Sequence, residues 1–201
     1  MEIKGKSDLE ERMEEREQTE FRSRVGQLNW MSQTTRPDMS RQVSQLGQSF
    51  HGGRRKEIGR LNKVIEMVKE KPLKVKIEKI DKGSKYLEVY VDAAFGREGE
   101  QRAQVGILIM MRDKKGRKIP LWKSQLSKRV ARTTMEAETL ALADGLEWGL
   151  FLSKLYEEIT GEELEIVTKT DSKTLESALK SGNGVKSRRL RIDVAAIQEM
   201  I

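Results

Sequence analysis

The stretch YLEVYVDAAFG, Tyr86 to Gly96, decides how this chain is read. Apolar and polar residues alternate along it, which predicts a β-strand over 86–95. Leu87, Val89 and Val91 fall on one face, and Tyr86, Glu88, Tyr90 and Asp92 on the other. Asp92 thus places a carboxylate where the strand should be entering the core. A carboxylate there needs a partner, a metal ion or a solvated cleft.

Downstream, Gln104–Arg112 and Lys118–Ser124 read as two further strands joined by a turn at Asp113–Gly116. Two short connections in a row imply an antiparallel meander. Thr133–Ile159 reads as a long helix, with an apolar stripe of Ala137, Ala141, Trp148, Leu152 and Leu155. Leu164–Thr170 is a fourth strand, Ser172–Lys180 a helix, Ser181–Lys186 a Gly-containing loop and Arg188–Met200 a last helix. The order β-β-β-α-β-α predicts an α/β fold: a mixed sheet with packed helices, its fourth strand beside the first and parallel to it.

Upstream of the strand the character is helical. Lys74–Ile80 reads as a short strand or linker. Phe21, Val25 and Leu28, then Val43, Leu46 and Phe50, recur at helical spacing. Pro37 disfavours helix at Arg36 and breaks the run at Thr34–Asp38. Residues 55–70 carry a third amphipathic stripe (Ile58, Leu61, Val64, Ile65, Val68), which Pro72 ends. The expected organisation is a charged helix or tail over 1–20, a small helical subdomain over 21–71 and an α/β domain over 74–201. Trp30, Trp122 and Trp148 read as core or half-core residues.

Composition narrows the chemistry. Of 201 residues, 36% are hydrophobic and 35% charged, so a modest core and a heavily solvated surface are expected. With no cysteine and one histidine, His51, thiolate and multi-histidine metal sites are excluded. Any metal ligands must be carboxylates, which favour magnesium or manganese. The net charge of +7 is uneven: residues 1–20 hold four basic and eight acidic groups, which leaves +11 on the rest. A basic body of this kind suits a polyanionic partner. No apolar run approaches the roughly 20 residues of a membrane span, and no signal-peptide pattern opens the chain. An intracellular protein, in a cytoplasmic particle or the nucleus, is expected.

Three acids fall where this architecture converges. Asp92 lies near the end of the first strand and Asp171 at the end of the fourth, at the sheet edge where sites of such folds sit. Glu138 lies in the first turns of the long helix. Glu136, three residues after Thr133, is assigned instead to a capping box. Three converging carboxylates repel one another unless cations are present. Two divalent ions about 4 Å apart would relieve this and support phosphoryl transfer.

Several segments in order resemble the ribonuclease H domain of copia-type retrotransposon Pol polyproteins. They are Val91–Gly96 (VDAAFG), Leu121–Ser124 (LWKS), Thr134–Ala143 (TMEAETLALA) and Thr170–Ser172 (TDS). Upstream, Phe21–Leu28 (FRSRVGQL) and Thr35–Met39 (TRPDM) resemble the segment that connects polymerase to ribonuclease H in that family. The resemblance implies a ribonuclease H-like fold and two-ion hydrolysis of the RNA strand of an RNA–DNA hybrid during reverse transcription. Mg2+ or Mn2+ would be held by Asp92, Glu138 and Asp171. The reverse transcriptase part of the same polyprotein is the expected partner. The family carries a fifth strand and a final helix with a fourth carboxylate, so the chain is expected to be truncated before that strand. Asp193 reads as a helix-start or surface acid. The rival reading is a catalytically incomplete remnant that binds nucleic acid or serves as a scaffold. Tyr90-Val91-Asp92 is similar to a polymerase signature, but Ala93 replaces its second aspartate and no palm precedes it, so a polymerase site is rejected.

Backbone contacts to nucleic acid are expected from Lys123, Lys128, Arg129 and Arg132 before the long helix, and from Lys186, Arg188 and Arg189 in a second basic loop. Thr134 at the helix start and Ser172 after the fourth strand are further candidates.

Overall fold

The computed structural model describes residues 9–81, 83–95, 102–181, 185 and 187–201. Gly96 and Lys186 therefore lie outside the described residues. The chain forms two compact units, Met1–Val75 and Lys76–Ile201.

The first unit is helical. It comprises α1 (Glu15–Thr34), a 3-10 turn (Pro37–Met39), α2 (Ser40–Gly47) and α3 (Lys56–Glu70). Phe21, Val25 and Leu28 of α1 meet Met39, Val43, Leu46, Ile58, Leu61 and Val64 in one core. The break at Pro37 is held by the residue before it. Arg36 is buried and donates from Nε and Nη2 to the two carboxylate oxygens of Asp38, at 2.9 and 2.8 Å. Its Nη1 donates to the Val68 carbonyl at 3.0 Å, which ties the break to the last turn of α3.

The boundary expected at residue 20 is corrected: α1 begins at Glu15 and runs straight through it. The acidic segment before α1 is docked as well. Met13 is buried, its N–H donates to the Gly53 carbonyl at 3.1 Å, and the Arg55 N–H donates to Glu11 at 2.9 Å. The Arg55 guanidinium pairs with Glu11, Glu14 and Glu17, so these glutamates of the charged segment are partnered within the unit. Trp30 is also corrected, being 68% exposed because it lies on the side of α1 away from Phe21, Val25 and Leu28.

The second unit is α/β. Its elements are β1 (Lys85–Ala94), β2 (Arg102–Asp113), β3 (Lys118–Val130), α4 (Thr134–Thr160), β4 (Glu165–Lys169), α5 (Lys173–Ser181) and α6 (Arg188–Met200). The mixed four-stranded sheet has the order β3-β2-β1-β4, with β4 parallel to β1 and the other pairs antiparallel. Leu87, Val89 and Val91 are buried under α4, together with Val105, Ile107 and Ile109 of β2. Residues 71–81 carry neither helix nor strand, so the stretch read as a short strand or linker is not a strand. The β2–β3 turn uses Gly116 at φ 78°, a conformation that a side chain disfavours. Asp113 organises it, accepting from the N–H groups of Lys115 and Arg117 at 2.9 and 3.0 Å and from that of Asp81 at 3.1 Å.

Candidate active site

The direction of α4 against β1 brings the three acids near one another. A Cβ on Gly145 would fall 2.5 Å from Val91 Cγ1, and one on Gly149 would fall 3.0 Å from Val89 Cγ2. The two glycines let the helix settle directly on the strand. As β1 advances from Val89 to Val91, α4 recedes from Gly149 to Gly145, so the two run antiparallel. The first turns of α4 therefore lie over the carboxyl end of β1.

Parallel pairing with β4 supplies the third arm. Its last pair is Tyr90 with Lys169. Asp92 and Asp171 each lie two residues further on, just past the ladder. Both are exposed, so the carboxylate of Asp92 resolves into a solvated end rather than a buried one.

Glu138 is different. It lies two helical turns before Gly145 on the face turned to the sheet and is only 7% exposed. Its Oε2 is buried and accepts no hydrogen bond. Burial first, then the charge of Asp92, then that of Asp171 push its carboxyl above the ordinary range. A hydrogen bond from the Ala93 backbone opposes this. Glu138 therefore senses both aspartates. Among the described residues, no group of three or more histidine, aspartate or glutamate side chains is drawn close enough to hold a metal ion. The arrangement is two exposed carboxylates at the end of the sheet and one buried carboxylate whose Oε2 has no hydrogen-bond partner, and hard cations suit oxygen donors of this kind.

Neighbouring residues take up the structural tasks. Thr133 Oγ1 caps α4 by accepting from the Glu136 N–H at 3.1 Å. Glu136 Oε2 accepts from the Arg132 N–H at 2.9 Å, one residue earlier than the capping box expected. Ser172 Oγ accepts from the Leu175 N–H at 3.4 Å and so caps α5, which leaves Asp171 free of that duty.

The expected nucleic-acid residues do not form one set. Lys128, Arg132, Thr134 and Arg188 are exposed. Lys123 Nζ sits 6.0 Å from the Trp148 ring centroid, on the α4 side of the sheet. Arg129 donates to Asp193 at 2.7 Å, and Arg189 lies 3.7 Å from Glu136. Those two guanidiniums tie α6 to β3 and α4, a role that a run of basic residues in sequence does not announce. An open cavity of about 660 Å³ borders the free edge of β4, lined by Leu142, Thr168, Thr170, Leu179, Gln198 and Ile201 among others, and none of the three acids lines it.

No protein-family model matches the chain, and no curated protein and no solved structure matches it either. The fold defines an α/β protein with a four-stranded mixed sheet, with Asp92 and Asp171 just past the carboxyl ends of its two parallel strands.

Proposed function

We propose that the second unit is a ribonuclease H-like domain that hydrolyses the RNA strand of an RNA–DNA hybrid. The observation that carries this reading is the buried, unpartnered Oε2 of Glu138 facing the charges of Asp92 and Asp171. Such an oxygen is costly to keep in a protein that never meets a cation. The strand order and the ordered segments that resemble the copia-type family support the same reading.

Asp92, Glu138 and Asp171 would hold Mg2+ or Mn2+, two ions in the reading that the resemblance implies. Bound divalent ions would make a water molecule more acidic and stabilise the charge that builds on the phosphate and the leaving oxygen. The chain's own contribution is placement. α4, locked on β1 through Gly145 and Gly149, fixes Glu138 from the core side, and the Ala93 N–H orients its carboxylate. Asp92 and Asp171 reach the cleft from solvent on adjacent strands. Lys128, Arg132 and Arg188 would neutralise phosphates, and the positive end of α4 at Thr134 adds to the attraction. Hybrid recognition would rest on groove shape and 2′-hydroxyls rather than sequence.

That no three acids among the described residues are drawn close enough to hold a metal ion favours one alternative: a domain that binds nucleic acid without cutting it. A labelled RNA–DNA hybrid incubated with the chain in Mg2+ or Mn2+, beside Asp171→Asn, separates the two. Cleavage lost in the variant upholds the hydrolase. Retained binding with no cleavage by either protein establishes the binding module.

A further inference from the structure

The C-terminal half of α4 carries a feature that neither its core nor the acidic cleft uses. Phe151, Leu155 and Ile159 are 60%, 40% and 74% exposed. They are spaced four residues apart, so they form one stripe about 12 Å long on the outer face of the helix. The stripe contradicts the sequence expectation that Leu155 belongs to the core-facing set. The core face of the helix is Ala141, Leu142, Gly145, Leu146, Gly149 and Ser153, and Leu155 points away from it.

We propose that this stripe pairs with the same stripe of a second copy of the chain, antiparallel, about a two-fold axis at Leu155. The spacing is symmetric about that residue. Phe151 of one copy meets Ile159 of the other, and Leu155 meets Leu155. The flanking charges choose the occupant. Lys154 and Glu158 lie on the same side of the stripe and are both exposed. In the antiparallel arrangement Lys154 of each copy comes within a turn of Glu158 of the other, so opposite charges meet twice. Lys154 bonds Glu157 within its own helix at 2.7 Å, a contact it would exchange for Glu158 of the second copy. The pairing is isologous, as closed dimers require. Stable interfaces bury about 800 Å² per partner, and a three-residue stripe offers less, so the dimer is weak and dependent on concentration.

The chain has no cysteine, which allows a direct test on the full protein. Leu155→Cys puts one thiol on the proposed axis, and Glu199→Cys, exposed on α6, is the control. The Leu155→Cys protein is expected to oxidise to a disulfide dimer at least about tenfold faster than the control. In sedimentation equilibrium the wild type should dimerise with rising concentration and Phe151→Glu should stay monomeric. Lys154→Glu should weaken the dimer, and adding Glu158→Lys should restore it. A wild-type monomer at the highest concentration reached, equal oxidation rates at the two positions, or a dimer indifferent to Phe151→Glu would each overturn the proposal and assign the stripe to a different occupant.

Discussion

Asp92 and Asp171 stand level with each other, each two residues past the last parallel pair, Tyr90 with Lys169. Their proximity is thus a property of backbone register rather than of any contact between their side chains. Shifting β4 by one residue would turn Asp171 to the opposite face of the sheet. Deleting Thr168 should therefore abolish hybrid cleavage while leaving much of the helical content intact. Circular dichroism alongside the cleavage assay checks this.

Glu138 gives a pH signature in the metal-free protein. Its folded carboxyl titrates above its unfolded value, so the native state holds that proton more tightly. The contribution of this group to stability is therefore greatest at low pH. It falls as pH rises from the unfolded to the folded value, then levels off. Glu138→Gln should remove that decline, making the metal-free variant the more stable protein at neutral pH. Added Mg2+ or Mn2+ should raise the wild-type melting temperature and leave the variant unmoved.

Gly145 has no room for a side chain. Gly145→Val sets branched carbons against Val91 and forces α4 off the strand, with an expected cost of about 1–3 kcal/mol. Because Glu138 is carried by the same helix, hybrid cleavage should fall further than the folded fraction does. Urea denaturation measured beside activity distinguishes the two losses.

In the helical unit, Arg36 should be irreplaceable by lysine, which cannot grip both oxygens of Asp38 at once. Arg36→Lys is expected to cost about 2–3 kcal/mol. Asp38 titrates below its unfolded value because Arg36 bonds its charged form. Its contribution is complete above the ordinary carboxylate range and fades as pH drops through the folded value. The wild type and Arg36→Lys should therefore converge in melting temperature on acidification.

Lys128 and Arg129 are adjacent yet should behave differently. Lys128→Ala should weaken binding to a hybrid and reduce its log–log salt slope by about one. Arg129→Ala also releases Asp193, whose Oδ2 is already buried without a partner, so it should lower the melting temperature as well.

Much of this was legible in the sequence, element by element. The alternation Leu87, Val89, Val91 marks β1, and the element order alone places Asp92 and Asp171 on neighbouring strands. β3 continues to Val130 rather than stopping at Ser124, because its pairing with β2 carries a polar stretch that has no alternation to read. The depth of Glu138 was hidden for a different reason. A glutamate near the start of a helix reads as solvated, and the close approach of α4 to the sheet at Gly145 and Gly149 is not announced by the apolar stripe. Leu155 and Trp30 were misplaced because an apolar residue at helical spacing does not reveal which side of the stripe faces the core.

The parallel pairing also has a kinetic meaning. β1, β2 and β3 pair across short connections, whereas residues 86–90 of β1 each meet a β4 residue 79 positions later, from Tyr86 with Glu165 to Tyr90 with Lys169. Closing so long a loop costs more chain entropy than closing a hairpin, so this pairing belongs late in assembly. A chain emerging during synthesis would complete its meander and α4 well before the acidic cleft existed. Competence at the cleft would then report that the whole domain had finished folding.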